Sequence, residues 1–299
     1  MDIVLVQMFV KVVKMGGFSK AAEAMRIPKS TVSKAVTRLE SETGSKLLIR
    51  TTRSQTLTAT GRAFYDSCVG PVQAIEDAQK SLSGNDSLLT GTLKITAPED
   101  LGTEVIAPAV GELIHRHPGL KFELIYSDLV MDLVKEGYDL AVRIGNLKES
   151  SLKSKKIGEI KLILVASPGY LKNKSKINQP EDLKNHTCLT LGPRSTQGEW
   201  FLKSKNRHAK VFIEPRIVSN QMSSLLKATM ANAGVSMIPG FLCRQNLDNG
   251  KLVRVLPLWT TMGLPVSLLS PLAFSSSARL RITADHLAEE IQKALGSDF

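Results

Sequence analysis

Lys29, Ser30, Thr31, Ser33, Lys34 and Arg38 fall within ten residues, interleaved with Val32 and followed by Val36 and Leu39 among the apolar positions. At helical spacing the apolar three gather on one face and turn the ammonium, hydroxyl and guanidinium groups outward. On the second helix of a helix-turn-helix, the first five of these polar groups match the edges of base pairs in a major groove, and Arg38, further along, meets phosphate. The surrounding charge agrees. Residues 1–62 hold eleven lysines and arginines against four acids, a net of +7 out of the +11 carried by all 299 residues. A positive field focused on so short a segment is what neutralising a phosphate backbone requires. A lone basic helix would read as an ordinary solvated face; the local excess of charge argues against that.

Other chemistries find no residues to carry them. There is no G-x-S-x-G, no G-x-x-x-x-G-K-[ST] and no H-E-x-x-H, so nucleophilic, phosphate-loop and zinc-hydrolase catalysis are not expected. A winged-helix repressor fused to a ligase would need a glycine- and arginine-rich nucleotide loop, which is absent. Cys68, Cys188 and Cys243 are far apart with no C-x-x-C pair and read as buried small residues, with a redox pair of Cys188 and Cys243 as the alternative. His115 and His117 stand before Pro118 without Cys or carboxylate partners, so no metal site and no cofactor are expected.

The elements that must position the basic residues follow from periodicity. Leu5, Met8, Phe9 and Val12 form one stripe of a first helix that stops at Gly16-Gly17, and Ser19 is placed to cap a second, Lys20–Met25, with Pro28 closing the turn. The third helix, Lys29–Glu42, stops at Gly44. From Leu47 to Thr60 the pattern becomes β-branched and basic (Ile49, Arg50, Thr51, Thr52, Arg53) around a Ser54-Gln55 turn, a two-stranded wing. Thr58 or Thr60 caps a long helix reaching about Leu82, whose stripe of Phe64, Cys68, Val72, Ile75 and Ala78 wants a partner helix, and which Gly70-Pro71 should kink. Ser83–Ser87 is a linker.

After Gly91, alternating strand and helix patterns predict an α/β domain with a parallel sheet, too long for one small sheet and hence two subdomains around a cleft. Strands read at 93–97, 122–126, 139–144, 161–166, 187–191, 211–218, 235–238 and 266–269; helices at 105–114, 222–233 and 281–295. Ligands of such sheets bind beyond the carboxyl ends of strands. The candidates are therefore Pro98, Glu99, Asp100 and Leu101, then Ser127, then Arg143 and Gly145, then Gly192, Pro193 and Ser195, then Ser219 and Asn220. Trp200 reads as core rather than as a ligand platform. No run approaches the roughly 20 apolar residues of a membrane span, since Gln7 and Lys11 break Ile3–Val13, and the start does not read as a signal peptide; the expected address is the cytoplasm, without membrane partners. The absence of a signal also weighs against a secreted solute receptor.

Four segments in order, Phe9–Ala22, Ser30–Glu40, Gly44–Arg53 and Leu57–Gly61, resemble the LysR-type transcriptional regulators. So do D-L-A-V-R-I-G (Asp139–Gly145), Ser150–Leu152, L-V-A-S-P-G-Y-L (Leu164–Leu171) and A-G-V-S-M-I-P (Ala233–Pro239). The resemblance covers essentially the whole chain. It implies a winged helix-turn-helix (1–60), a dimerising linker helix and hinge (61–90), and an effector domain shaped like a periplasmic binding protein (91–299; subdomain I at 91–163 and 268–299, subdomain II at 164–267). It further implies wing arginines at Arg50 and Arg53, crossovers near Lys161–Leu164 and Pro265–Leu269, and a homotetramer binding a double-stranded inverted repeat under control of a small molecule, with RNA polymerase as a further partner. Two departures stand out. Pro28 occupies the position where relatives often carry a capping serine, leaving Ser30 or Thr31 to cap. Glu99 and Asp100 replace small hydroxyl residues that hold a carboxylate, which points to a neutral or amine-bearing ligand, or else to acids that favour a helix N-terminus and face solvent. Arg143 is left either to hold an anion or to bridge the cleft.

Overall fold

Asp2 opens the first helix, α1 (Ile3–Lys14), its carboxylate accepting a hydrogen bond from the Val4 N–H at 3.0 Å. The buried stripe Leu5, Val6, Phe9, Val10 and Val12 of α1 packs with α2 (Phe18–Met25), whose Ala21 and Ala22 let the backbones approach, and with α3 (Lys29–Thr43) through Val32, Ala35, Val36 and Leu39. Gly44 ends α3 in the left-handed conformation, φ +63°. Ser19 does not cap α2. The helix begins at Phe18, with Gly17 at the cap position and no side-chain cap, because Phe18 packs on the core and draws the first turn two residues earlier.

The structure is a computed structural model that describes residues 2–50, 55–81, 89–129, 131–147, 150–192 and 198–296. It forms two units, Met1–Leu89 with Leu272–Arg281, and Thr90–Pro271 with Ile282–Phe299. In the first, β1 (Leu48–Arg50) and β2 (Gln55–Leu57) pair antiparallel with Leu48 opposite Leu57, and α4 (Ala59–Ser81) runs on through Pro71. Thr58 caps α4, its hydroxyl accepting from the Gly61 N–H at 2.8 Å. Phe9 stacks against Phe64 and Tyr65, with ring centroids 5.7 and 6.5 Å away, so the start of α4 shares the α1–α3 core.

The second unit holds two five-stranded sheets. β3 (Gly91–Ala97) leads into α5 (Glu99–Leu101), a single π turn (Gly102–Ile106) and α6 (Ala107–Arg116); then come β4 (Leu120–Tyr126), α7 (Leu133–Glu136), β5 (Leu140–Ile144) and β6 (Lys153–Ile160). The chain then crosses to the second sheet: β7 (Leu162–Ala166), α8 (Pro168–Leu171), β8 (Cys188–Leu191), β9 (Gly198–Ser204), β10 (Arg207–Ile213), β11 (Pro215–Ser219), α9 (Met222–Met230), β12 (Val235–Pro239), α10 (Gly240–Asp248) and β13 (Val253–Arg254). It returns as β14 (Leu264–Ser270) and closes with α11 (Ala278–Gly296). The orders are β4-β3-β5-β14-β6 and β11-β8-β12-β7-β13.

Three expectations change here. β4, β3 and β5 are parallel, but β14 runs antiparallel to both β5 and β6, because it arrives from the other lobe rather than through a helical crossover on the same sheet. The strand expected at 211–218 is two, since Pro215 has no N–H to continue a ladder; β10 pairs with β9 and β11 with β8. The helix expected at 105–114 starts at Glu99 and absorbs a π turn. Among the described residues no helix is long and apolar enough to cross a membrane.

Gly61 lies against the wing: a Cβ there would stand 2.0 Å from the Leu47 carbonyl oxygen. Gly61→Ala should therefore lower the stability of the N-terminal unit by about 1–3 kcal/mol, read as a fall in urea midpoint at unchanged slope. A midpoint equal to wild type would refute that close packing.

Candidate functional site

The outward face of α3 carries Lys29, Ser30, Thr31, Lys34 and Arg38 exposed, with Ser33 half-buried, opposite the buried Val32, Ala35, Val36 and Leu39. Pro28 holds the cap position and no side chain caps the helix, so Ser30 and Thr31 stay on the exposed first turn instead of being consumed as caps. Arg38 Nε donates to Glu42 Oε1 at 2.9 Å, an i,i+4 pair that solvent screening leaves weak. Arg50 lies in β1 opposite Gln55, its side chain outside the described set, and Arg53 falls outside the described residues altogether.

What fixes the wing against this helix is Glu40, a residue that sequence reasoning passed over. Its buried carboxylate accepts from the backbone N–H groups of Leu47 at 2.9 Å and Leu48 at 3.1 Å, and from Lys46 Nζ at 3.1 Å. Burial pushes its pKa up. The two backbone donors and the Lys46 ammonium outweigh that and hold it below the usual carboxylate value. The only sequence signal was position: an acid in the register of the apolar stripe, one residue after Leu39.

In the second unit the described candidates lie at or just beyond the ends of β3, β4, β5, β8 and β11. Glu99 and Asp100 open the helix after β3, with Leu101 buried beneath them. Gly102 is pressed against Tyr126, where a Cβ would stand 2.4 Å from the ring. Ser127 closes β4, its N–H bonded to the Ala97 carbonyl at 2.8 Å and its hydroxyl accepting from Leu129 N at 3.2 Å. Gly145, at φ +98°, donates to the Pro265 carbonyl. On the other lobe Gly192 N bonds Ser219 O at 3.0 Å, Ser219 Oγ accepts from Gln221 N, Asn220 is exposed, and Pro193 and Ser195 lie outside the described residues.

Arg143, near the end of β5, is engaged with groups of its own lobe. It is half-buried and donates at 3.1–3.4 Å to the carbonyls of Val142, Ser127 and Leu129 and to the Thr96 hydroxyl, all within its own lobe. Burial lowers its pKa from the usual arginine value, while the charges of Asp128 and Tyr138 act the other way.

Asp100 does span the lobes. Its carboxylate faces the backbone N–H of Ser223 in the first turn of α9, yet burial, then the negative charges of Glu99, Asp128 and Glu104, raise its pKa to about 6. Asp100 Oδ1, Glu99 Oε2 and the Tyr126 hydroxyl are buried without a hydrogen-bond partner. Buried polar atoms of this kind are costly to leave without a partner.

Trp200 is core, its indole N–H donating to Thr190 Oγ1 at 3.3 Å. Cys188 and Cys243 are buried in separate apolar clusters, and burial pushes the Cys188 thiol up to about 12, which removes it as a nucleophile at neutral pH and argues against the redox pair.

A helix-turn-helix with a clamped wing, joined in one chain to a two-lobed α/β domain with an acidic cleft, defines a ligand-responsive DNA-binding regulator. The helix-turn-helix family "Bacterial regulatory helix-turn-helix protein, lysR family" matches residues 3–62, and "LysR substrate binding domain" matches residues 86–292. The chain belongs to the LysR family of transcriptional regulators. It is 31% identical to the probable HTH-type transcriptional regulator LtrA of Klebsiella pneumoniae, over 95% of this chain and 93% of that one. It is also 31% identical to the HTH-type transcriptional regulator PtxR of Pseudomonas aeruginosa, over 95% and 91%. Among solved structures it resembles CrgA, a LysR-type regulator of Neisseria meningitidis, at 25% identity and TM-score 0.62, covering 97% of this chain and 99% of the other. The protein is a DNA-binding regulator controlled by a small molecule, not an enzyme.

Glu40→Ala should cost about 2–4 kcal/mol by stranding two buried N–H groups, with Glu40→Gln milder. Because the folded pKa is depressed, the contribution of Glu40 is present above the ordinary value of 4.5 and disappears as pH falls through the lower folded value. Urea midpoints from pH 7 down to 3 should converge for wild type and Glu40→Gln; a constant gap would contradict the ionised clamp.

Proposed function

We propose that this regulator grips an interrupted inverted repeat in cytoplasmic promoter DNA as a homodimer joined through the linker helix, two dimers forming a tetramer that can engage RNA polymerase. In this reading residues 1–60 bind DNA, 61–90 link and dimerise, and 91–299 sense, with subdomain I at 91–163 and 268–299 and subdomain II at 164–267. Lys29, Ser30, Thr31, Ser33 and Lys34 read the major groove, Arg38 meets phosphate, and Arg50 and Arg53 flank it on the wing. The exposed polar face of α3 on a fully packed apolar one supports the assignment.

The effector is held at the ends of β3, β4, β5, β8 and β11 by Pro98, Glu99, Asp100, Leu101, Ser127, Gly145, Gly192, Pro193, Ser195, Ser219 and Asn220, with Arg143 bracing the loop after β4, and it presents a protonated amine or similar cationic donor. The observation that carries this is the pair of buried, unpartnered oxygens on Glu99 and Asp100. An anionic ligand would add charge to a group already disfavoured by Glu99 and Asp128, and Arg143, the nearby cation, is spent on carbonyls.

Two experiments test the two halves. Ser33→Ala with Arg53→Ala should abolish operator retention in gel shifts while leaving ligand-induced changes in the sensor intact; loss of both with the fold preserved, or of neither, sinks the division of labour. For the sensor, calorimetric screening of matched amines and carboxylates should favour the amines. Since Asp100 gains a proton as pH falls through about 6, amine affinity should drop below that pH, and Asp100→Asn should be weak and flat across it. Carboxylates binding more tightly than amines would overturn the assignment.

A further inference from the structure

Away from the cleft, Glu112 of α6 and His286 and Glu290 of α11 bring an imidazole nitrogen and two carboxylate oxygens within 4.8 Å of one another. His286 and Glu290 are one helical turn apart and project from the same face of α11. Glu112 meets them from α6: His286 Nε2 lies 3.6 Å from Glu112 Oε2 and 3.2 Å from the Ala109 carbonyl oxygen. The imidazole is buried at 8% exposure while Glu112 sits half in solvent. A fixed nitrogen on the inside and carboxylates at the rim leave remaining coordination positions open to water.

We propose that Glu112, His286 and Glu290 bind a divalent transition-metal ion. Metal–ligand bonds of about 2.0–2.2 Å in a tetrahedral arrangement set neighbouring ligand atoms roughly 3.4 Å apart, close to the 3.6 Å separation of Nε2 and Oε2. One imidazole with two carboxylates suits zinc, cobalt, nickel or manganese, whereas calcium prefers oxygen alone and copper(I) prefers sulfur. The groups now engaging these donors are easily turned aside. Arg116 pairs with Glu112 at 2.9 Å and Lys293 with Glu290 at 2.7 Å, but both cations are more than half exposed and water screens them. Nε2 faces the Ala109 carbonyl, so loading the ion there takes the imidazole to the tautomer with its proton on Nδ1 and gives up that hydrogen bond.

The site would fasten α6 to α11. Across the π turn, α6 is continuous with the segment bearing Glu99 and Asp100, so the ion would stiffen the element that presents the effector residues, without depending on what that effector is.

The test uses the full-length protein, stripped with a chelator and titrated with Co²⁺ under visible absorption, then with Zn²⁺ in competition. One Co²⁺ per chain with ligand-field bands of low coordination number is expected, weakened at least about ten-fold in Glu112→Gln and Glu290→Gln. His286→Ala also removes the donor to Ala109, so His286→Gln, whose amide still donates, serves as its control and should likewise lose the ion. No stoichiometric uptake by wild type overturns the proposal, leaving His286 as a donor to Ala109 only. Uptake unchanged in Glu112→Gln and His286→Gln also overturns it, by locating the ion at other ligands such as His115 and His117.

Discussion

A single buried carboxylate decides whether the basic surface of the N-terminal unit is one object or two. Glu40 projects from the inner side of α3 and accepts the first two backbone N–H groups of the wing, at Leu47 and Leu48. Hydrogen bonds to an ionised acceptor are the strong kind, and buried donors left without a partner are expensive. Thr58 grips the same segment from the other end, its hydroxyl donating to the Lys46 carbonyl at 2.7 Å while it caps α4. Helix, wing and linker helix are thus tied at Lys46–Leu48. That tie fixes the exposed face of α3 relative to the start of the wing.

The sensor uses carboxylates in the opposite sense. Glu40 is buried but fully solvated by protein donors, so it stays ionised. Asp100 is buried among other acids with one backbone donor from Ser223, so its charge is disfavoured until something neutralises it. The first carboxylate is satisfied within the folded chain, and the second is left short. Arg143 is likewise engaged within the chain, bonded to three carbonyls and a hydroxyl of its own lobe.

Local rules made much of this legible. The apolar stripes of α1 and α3, the Gly44 stop, the Thr58 cap and the strands at β3, β4, β5, β7, β8, β12 and β14 follow from period, turn chemistry and β-branched content. The misses have several causes. β6 reads Lys-Ser-Lys-Lys at an exposed sheet edge, where the lysines discourage further pairing but erase the hydrophobic alternation that would announce a strand. β9 alternates, burying Gly198, Trp200, Leu202 and Ser204, but no strand is read there from the sequence, because a glycine and a serine take two of its buried positions. The start of α2 at Phe18, the antiparallel β14, the clamp at Glu40 and the approach of Asp100 to Ser223 are set by contacts distant in sequence or by core packing, on which local spacing is silent.

The account stands or falls on whether the α3 face and the wing read DNA as one unit. The most direct measurement is selection of duplexes bound by the full-length protein from a random pool, followed by salt titration of the enriched sequence. The account predicts an interrupted inverted repeat with half-sites about one helical turn apart or a multiple of it, and an affinity falling steeply with salt, with a slope of about −0.9 per phosphate contacted. A pool left without an enriched sequence, or binding that barely responds to salt, would contradict it.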